Sequence, residues 1–242
     1  MNLVIDIGNT LLKYAVFDHK RMLTHASLEM SSSNTKIKAI FTKYPKITHA
    51  IVSSVATVDE NLYRILSQNC KAHQLSYTSK IPFKNNYTTP KTLGMDRIAL
   101  VTAAFYQNPK SNTLVIDMGT CITYDLLTDG GEYMGGAISL GVTMRYKALH
   151  QQTDKLPLLN AEMPSNYIGN TTANSIHSGV MGGVLNELDG IIRHYKKQFE
   201  HLTVILTGGD SHFFAKRLKN SIFAHSKFLL KGLNYLLEYN KS

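Results

Sequence analysis

The chain has 242 residues, of which 43% are hydrophobic and 18% are charged. This composition is typical of a globular protein large enough to bury a substantial core, and it excludes intrinsic disorder. No apolar run approaches the roughly 18 residues that a membrane span needs, and the N-terminus lacks the pattern of a signal peptide. With two cysteines, at positions 70 and 121, and no zinc-ligand spacing, we expect reduced thiols and a cytoplasmic protein.

The net charge of +9 is uneven along the chain. Residues 1–112 hold 14 Lys and Arg against 6 Asp and Glu, whereas residues 113–242 hold 12 against 11. Such an excess favours an anionic partner, which can be nucleic acid or a small molecule such as ATP. The lysines are scattered and no nucleic-acid motif accompanies them. We therefore predict a solvated surface for most of them and no nucleic-acid partner.

The first predicted element is a hairpin over residues 3–17. Its first strand is an apolar run that ends at the carboxylate of Asp6, and a turn with Gly8 and Thr10 follows. Such a tip offers N–H groups and a hydroxyl to phosphate oxygens, and its carboxylate can hold a metal ion or water. Taken alone it is also explained as a simple turn in which glycine supplies a positive φ. Lys13 either reaches a phosphate or is an exposed strand lysine.

Helical and strand-like patterns alternate through the rest of the first half. They predict helices over 35–44, 59–70 and 95–106, a buried strand over 49–55, and a loop over 76–92. At the last loop-to-helix junction, Asp96 and Arg97 stand side by side after Gly94. An Asp in the first turn of a helix is favoured by the macrodipole, so capping explains it. Alternatively, Asp96 accepts a proton from a substrate hydroxyl while Arg97 and Tyr87 bind the polar ends of that substrate.

The second half opens by repeating the first, since Leu-Val-Ile-Asp at 3–6 returns at 114–117 and a Gly-Thr turn follows at 119–120. The remaining patterns predict strands over 121–127 and 202–206 and glycine turns at 130–131 and 135–136. They predict helices over 142–150 and 173–199 and a turn at 207–210 before a helix from about 211. The last predicted element is an amphipathic helix over 227–242. Strands alternating with helices indicate an α/β protein. The half against which the last helix packs stays open at this point.

The repeated phrase predicts an internal duplication, because two independent turns have no reason to share a buried Asp. We divide the chain into domains 1–112 and 113–242, and we expect the two acidic tips to face each other across a nucleotide. Three glycines, at 179, 182 and 183, lie within a helical pattern at a cost of about 1 kcal/mol each relative to Ala. They suggest close helix packing.

In combination, the motifs resemble those of the type III pantothenate kinases, over nearly the whole chain. These kinases belong to the acetate kinase/sugar kinase/Hsp70/actin superfamily, whose members duplicate a ribonuclease-H-like domain. The residues that carry the resemblance are Asp6-Ile7-Gly8-Asn9-Thr10 with Lys13, Tyr87, Pro90, Gly94, Asp96 and Arg97, Asp117 with Gly119 and Thr120, Gly135-Gly136-Ala137-Ile138, and Thr172.

The resemblance implies two actin-like ATPase domains around a nucleotide cleft, and it implies a set of binding residues. For ATP these are Asp6, Ile7, Gly8, Asn9, Thr10, Leu11, Leu12, Lys13 and Thr120. For pantothenate they are Tyr87, Gly94, Met95, Asp96, Arg97 and Thr172. It further implies a monovalent cation (potassium or ammonium) at Asp117, and a homodimer in which the second subunit helps to enclose pantothenate.

The predicted activity is ATP-dependent phosphorylation of pantothenate to 4′-phosphopantothenate, the first step of coenzyme A synthesis. Asp96 matches the general base of the family, and we expect Asp6 to hold Mg²⁺ directly or through water. Two alternatives stay open. One is a non-catalytic transcription accessory protein of the same family, and the other is a kinase of the same superfamily that acts on another small hydroxy substrate.

Overall fold

The computed structural model describes residues 1–8, 11–54, 59–218 and 223–241. Contacts group the chain into two compact units. The first unit comprises Met1–Pro109, Gly131–Tyr133 and Lys227–Ser242, and the second comprises Lys110–Gly130 and Met134–Ser226. Strands and helices alternate in both units, and both sheets mix parallel and antiparallel strands. The predicted α/β class is therefore confirmed.

The sheet of the first unit has the strand order β3-β2-β1-β4-β5. Its strands are β1 (Asn2–Ile7), β2 (Leu11–Asp18), β3 (Arg21–Glu29), β4 (His49–Ser54) and β5 (Lys71–Gln74). The central strand β1 is antiparallel to β2 and parallel to β4. All six residues of β1 are buried, as expected of an apolar run in the middle of a sheet. The predicted first hairpin is confirmed.

The helices of the first unit pack on this sheet and on one another. They are α1 (Ser33–Lys43), α2 (Glu60–Asn69), α3 (Met95–Gln107) and the C-terminal α8 (Phe228–Asn240). Helices α3 and α8 approach so closely that a Cβ on Gly232 would overlap the carbonyl oxygen of Ala99. The Asn2 amide of β1 donates to Asn234 Oδ1 at 2.8 Å and to Glu238 Oε1 at 2.6 Å. The last helix therefore belongs to the first unit.

The predicted loop over 76–92 contains only two short elements, β6 (Lys84–Asn85) and a 3₁₀ turn at Pro90–Thr92. Strand β6 runs parallel to the first two residues of β9 (Glu132–Leu140), which also belong to the first unit. The Lys84 ammonium and the Glu132 carboxylate are 2.7 Å apart across this pairing. The other residues of this range belong to no regular helix or strand, in keeping with the prediction.

The second unit is built around β7 (Thr113–Met118). This strand is antiparallel to β8 (Cys121–Leu127) and parallel to β10 (Thr203–Thr207). In this sheet the strands follow the order β11-β10-β7-β8-β9, so β11 (Phe223–Ala224) lies beyond β10 and β9 lies beyond β8. Strand β7 thus stands between an antiparallel and a parallel neighbour, just as β1 does. This shared arrangement supports the duplication inferred from the repeated phrase.

The helices of the second unit correct two predictions. They are α4 (Val142–Gln151), α5 (Thr172–His177), α6 (Gly183–Gln198) and α7 (Ser211–Phe214). The helix predicted over 173–199 is interrupted by a π-helical segment at Ser178–Gly182. Close packing at the three glycines is wrong for Gly179 and Gly183, because a Cβ on either would meet nothing within 4 Å. At Gly182 a Cβ would lie 3.0 Å from the Tyr167 ring, but Tyr167 lies in the irregular segment before α5, so this close contact is not one between helices.

The turn predicted at Gly135-Gly136 is also wrong, because both residues lie inside β9. Gly135 has a φ of 91°, and a Cβ on Gly136 would overlap the carbonyl oxygen of Tyr124 in β8. Glycine within a strand permits a positive φ or a close approach of another backbone. Both uses occur here, so a glycine pair that resembles a turn signal instead lets β9 approach β8 closely.

The two compact units and the predicted domains divide the chain near the same point. They differ in that Gly131–Tyr133 and Lys227–Ser242 lie in the first unit, whereas the sequence division places both in 113–242. The duplicated domains 1–112 and 113–242 stay a prediction. Among the described residues, no helix has the length and apolar character needed to cross a membrane.

Candidate active site

Asp6 lies near the carboxyl end of β1 and is almost completely buried, with 6% of its surface exposed. Lys13 of β2 and Ser53 of β4 stand opposite it in the sheet. Burial raises the pKa of Asp6 to about 6, and the negative charge of Asp96 adds to the rise, while Lys13 and the Ser53 hydroxyl oppose it. The carboxylate is thus held in a site that disfavours its charge, as is common where a cation or a reacting group is bound.

Asp96 lies in the first turn of α3, two residues after Gly94, which is the N-cap residue of the helix. Its Oδ1 accepts the Arg97 backbone N–H at 2.9 Å. A Cβ on residue 94 would overlap this same oxygen, so only glycine leaves room for the carboxylate in this position. The helix macrodipole favours a carboxylate in this turn, and Asp96 is in addition near enough to Asp6 to raise its pKa. Met95, the first residue of α3, is partly exposed.

Arg97 is buried, with 4% of its surface exposed. Its guanidinium lies over the ring of Tyr87, 5.5 Å from the ring centroid. The Tyr87 ring stacks on Tyr133, with 6.2 Å between the centroids and 9° between the planes. Cation–π and stacking contacts of this kind fix both side chains at the base of the loop before α3. Three predicted substrate residues (Tyr87, Asp96 and Arg97) therefore cluster in the first unit.

The predicted ATP residues of the first unit that the structure describes, apart from Asp6, lie at or next to the end of β1 and in the first part of β2. The Gly8 N–H donates to the Leu11 carbonyl at 3.1 Å, which ties the end of β1 to the start of β2. Ile7 and Leu12 are buried in the core, whereas Leu11 is 38% exposed and Lys13 is partly buried. Any contact of Ile7 or Leu12 with a nucleotide would have to use their backbone atoms. Asn9 and Thr10 lie outside the described residues.

Asp117 occupies the corresponding place near the end of β7 in the second unit, but its surroundings differ. It is partly exposed, and two hydroxyl residues flank it in the sheet, Thr123 of β8 and Thr207 of β10. The turn after β10 packs directly on the strand end, since the Asp210 N–H donates to the Met118 carbonyl at 3.1 Å. Gly208 permits this approach with a φ of 93°, where a Cβ would overlap the Met118 backbone.

Thr120 is exposed at the tip between β7 and β8. The Gly119 N–H donates to the Cys121 carbonyl at 3.0 Å and closes the turn. Gly141, the N-cap residue of α4, packs against this turn. A Cβ on Gly141 would lie 2.6 Å from the Gly119 carbonyl oxygen and would overlap that of Thr120. The tip is therefore held by a second backbone segment.

Thr172 is exposed in the first turn of α5, and its neighbour Thr171 is the N-cap residue. The Thr171 hydroxyl accepts the Asn174 N–H at 3.1 Å, so this residue has a structural role in the helix. Thr172 lies on the rim of an open cavity of about 770 Å³, which is lined by Leu149, Leu156, Gly169, Asn170, Thr171, Thr172, Ser175, Ile176 and Gly179. The volume suits a small-molecule ligand.

The donor sets fit the metals that the sequence predicts. Mg²⁺ is usually bound by one or two carboxylates and completed by water and phosphate oxygens, and Asp6 with its electrostatic neighbour Asp96 meets that need. Asp117 has Thr123, Thr207 and the backbone carbonyls of its turn nearby, which are the oxygen donors that an alkali cation requires. No cluster of three or more His, Cys, Asp or Glu side chains occurs in the described part of the chain.

Sequence reasoning missed three residues at these sites. Ser53 faces Asp6, and its only signal was a polar residue inside an otherwise apolar strand. Tyr133 supports Tyr87 but lies 46 residues away from it, so no local pattern joins the two. Gly141 against Thr120 is a backbone contact without any sequence signature.

Comparison with known proteins gives a consistent result. Residues 2–194 match the family model described as type III pantothenate kinase. The type III pantothenate kinase of Christiangramia forsetii is 48% identical over 242 residues, covering 100% of both chains. That of Flavobacterium johnsoniae is 44% identical over 239 residues, covering 99% of this chain and 98% of the relative.

Solved structures show the fold. A Campylobacter jejuni protein assigned to the Baf family of transcriptional activators superposes with a TM-score of 0.65 at 21% identity, covering 98% of both chains. A Listeria monocytogenes protein assigned as an N-acetylmannosamine kinase superposes with a TM-score of 0.54 at 13% identity, covering 100% of this chain and 99% of the other. From its family model and its full-length relatives, the chain belongs to the type III pantothenate kinase family.

Proposed function

We propose that this chain transfers the γ-phosphoryl group of ATP to the primary hydroxyl of pantothenate, giving 4′-phosphopantothenate and ADP. The observation that carries the proposal is the end-to-end similarity to pantothenate kinases at 42–48% identity. The site of the first unit supports it, since a kinase needs carboxylates that can bind a metal ion and take up a proton. Asp6 and Asp96 supply these two groups close together.

In the proposed mechanism Asp96 is the general base. As the hydroxyl oxygen of pantothenate bonds to the γ-phosphorus, the bond from that phosphorus to the β,γ-bridging oxygen breaks and ADP leaves with its electron pair. Asp96 takes the hydroxyl proton. The contact of Asp96 Oδ1 with the Arg97 N–H and the absence of a side chain at Gly94 hold the carboxylate in one orientation. Such positioning is the main protein contribution to phosphoryl transfer.

Other residues bind and orient the substrates. We assign phosphate contacts to the tip residues Gly8 and Thr120, to Asn9 and Thr10, and to Lys13. We assign pantothenate contacts to Tyr87, Arg97 and Thr172, with a guanidinium suited to the pantothenate carboxylate. Mg²⁺ at Asp6, when bound, neutralises charge on the phosphate oxygens.

We also propose a potassium or ammonium ion at Asp117 and a homodimer in which the partner subunit completes the pantothenate site. The exposed cavity next to Thr172 supports the latter, because an open site of this kind gains enclosure from a second surface. A cytoplasmic location stays a prediction.

The test is a measurement of ADP release by the purified chain with a panel of acceptors, in potassium and then in sodium. We expect turnover with pantothenate and not with hexoses or short hydroxy acids, and a higher rate in potassium. Turnover with a sugar alone would replace pantothenate as the substrate. Equal rates in sodium and potassium would remove the monovalent-cation role of Asp117 while leaving the main proposal intact.

The alternatives have weaker support. Likeness to the Campylobacter jejuni and Listeria monocytogenes proteins, at 21% and 13% identity, shows the fold alone. A transcriptional role would require salt-dependent DNA binding with a steep slope, together with no ADP release in the presence of pantothenate.

A further inference from the structure

Four polar side chains of the second unit form a connected network that includes none of the predicted site residues. The Arg145 guanidinium of α4 donates from Nη2 to Glu187 Oε2 at 2.5 Å and to the Ser139 hydroxyl at 3.0 Å. The Tyr124 hydroxyl of β8 donates to Glu187 Oε1 at 2.8 Å. We call these four residues (Tyr124, Ser139, Arg145 and Glu187) the Arg145 network. It ties together two strands and two helices.

The network holds the backbone segment that supports the Thr120 tip. Arg145 Nε donates to the carbonyl of Leu140 at 2.9 Å, and the Arg145 N–H donates to the carbonyl of Gly141 at 3.1 Å. Gly141 in turn lies directly against the Gly119 and Thr120 carbonyls. Tyr124 connects the network to the tip a second time, because it lies on β8, the strand that begins immediately after Thr120.

The burial and the charges of Arg145 and Glu187 suit a positioning role. The side chains of Arg145 and Glu187 are only 20% and 23% exposed. Burial by itself would raise the pKa of Glu187, but the hydrogen bonds from Arg145 and Tyr124 outweigh burial and lower it, so the carboxylate is charged. An ion pair of this burial seldom adds more stability than apolar side chains would. A guanidinium has several donors in a fixed plane, and here they fix three elements relative to one another.

We propose that Arg145 and Glu187 are positioning residues that hold the Gly119–Thr120 turn in the conformation required to bind the phosphate groups of ATP. The inference rests on the proposed function, since it takes Thr120 as a phosphate contact. It assigns no contact with ATP to either residue. Loss of the network should therefore weaken ATP binding through the turn, while the pantothenate residues of the first unit keep their geometry.

The experiment compares Arg145→Met, Arg145→Lys and Glu187→Gln with the unmodified chain. We expect Arg145→Met and Glu187→Gln to raise the KM for ATP about tenfold, with the KM for pantothenate changed by less than about twofold, because a displaced contact acts on one substrate only. Arg145→Lys keeps the charge but loses the planar fork, so its KM for ATP should be intermediate. Lys241→Gln, which removes an ion pair to Glu238 at 2.6 Å, is the control and should change neither KM.

Two results would overturn the inference. One is an unchanged KM for ATP in folded Arg145→Met, and the other is an equal change of both KM values that follows a fall in Tm, as expected of a purely structural pair. If Arg145→Met does not fold, Tyr124→Phe removes a single hydrogen bond and serves in its place. Thr120→Ala separates the two proposals. If Thr120→Ala raises the KM for ATP while Arg145→Met does not, only the positioning role fails. If neither variant changes the KM for ATP, the phosphate role of the tip fails.

Discussion

The two strand ends at Asp6 and Asp117 carry the same four residues, Leu-Val-Ile-Asp, in two different environments. Asp6 is 6% exposed beside Lys13 and Ser53, and burial raises its pKa to about 6. Asp117 is partly exposed between Thr123 and Thr207, and a positive-φ glycine turn packs on its strand end. The comparison teaches that the repeated segment sets the position of the carboxylate in its strand, whereas the residues around each carboxylate in the fold set its pKa and its possible ligands.

The largest expected effect belongs to Asp96, which distinguishes the first site from the second. Asp96→Asn should lower kcat by about 10²–10⁴, because a positioned general base contributes this much to the rate. The KM for pantothenate should change far less. Steady-state ADP release checks both values. Glu60→Gln is the matched control, since Glu60 is the first-turn acid of α2. Equal and small losses in the two variants would mean that Asp96 is only a helix-capping charge.

Asp6→Asn should lower activity and raise stability. A folded-state pKa near 6, above the ordinary 3.8, means that ionised Asp6 costs stability above pH 6. Two pKa units correspond to about 3 kcal/mol, so Asp6→Asn should raise the free energy of unfolding by as much as about 3 kcal/mol at pH 8.

The gain from Asp6→Asn should shrink as the pH falls from about 6 to about 4, since the folded protein then binds the proton that the unfolded chain does not. Urea unfolding at several pH values measures it. Asp18→Asn, at a side chain that is half exposed on the same hairpin, should show no such gain. A loss of stability at pH 8 in Asp6→Asn would contradict the burial argument.

Gly94→Ala should lower kcat by about 10² with little loss of stability. The added Cβ would overlap Asp96 Oδ1, and displacing a reacting group by about 1 Å can cost that much. The overlap involves the end of a side chain, so α3 itself need not move. Kinetics and thermal unfolding measured together check the prediction. Gly190→Ala, in α6 with open space around it, is the control. Unchanged kcat in Gly94→Ala would show that the Asp96 orientation is not critical.

Gly208→Ala should produce the smallest effect of the four, and the effect should be on stability. The residue needs a positive φ and its Cβ would overlap the Met118 backbone, so we expect destabilisation by about 1–3 kcal/mol. Gly209→Ala, where a Cβ meets nothing within 4 Å, should be nearly neutral. Chemical unfolding of both variants tests the contrast. Similar stabilities for the two would mean that the turn does not press on β7.

Much of the site was predictable because its signals are local. The hairpins, the acid at each strand end and the start of α3 after Gly94 follow from apolar runs, glycine turns and first-turn carboxylates, which act within a few residues. The errors arose where a local signal had a distant cause. The pair Gly135-Gly136 resembles a turn signal, but the carbonyl of Tyr124 on the neighbouring strand requires glycine at position 136.

By itself, the sequence determined the α/β class and the places of Asp6, Asp96 and Asp117 in their strands and helix, because backbone preferences and hydrophobic periodicity depend on neighbouring residues. Only the tertiary structure decided which groups surround them. The pairing of Ser53 with Asp6, the support of the Thr120 tip by Gly141 and the packing of α8 on α3 join residues between 21 and 133 positions apart. Such contacts depend on sheet register and helix packing, which no short stretch of sequence specifies.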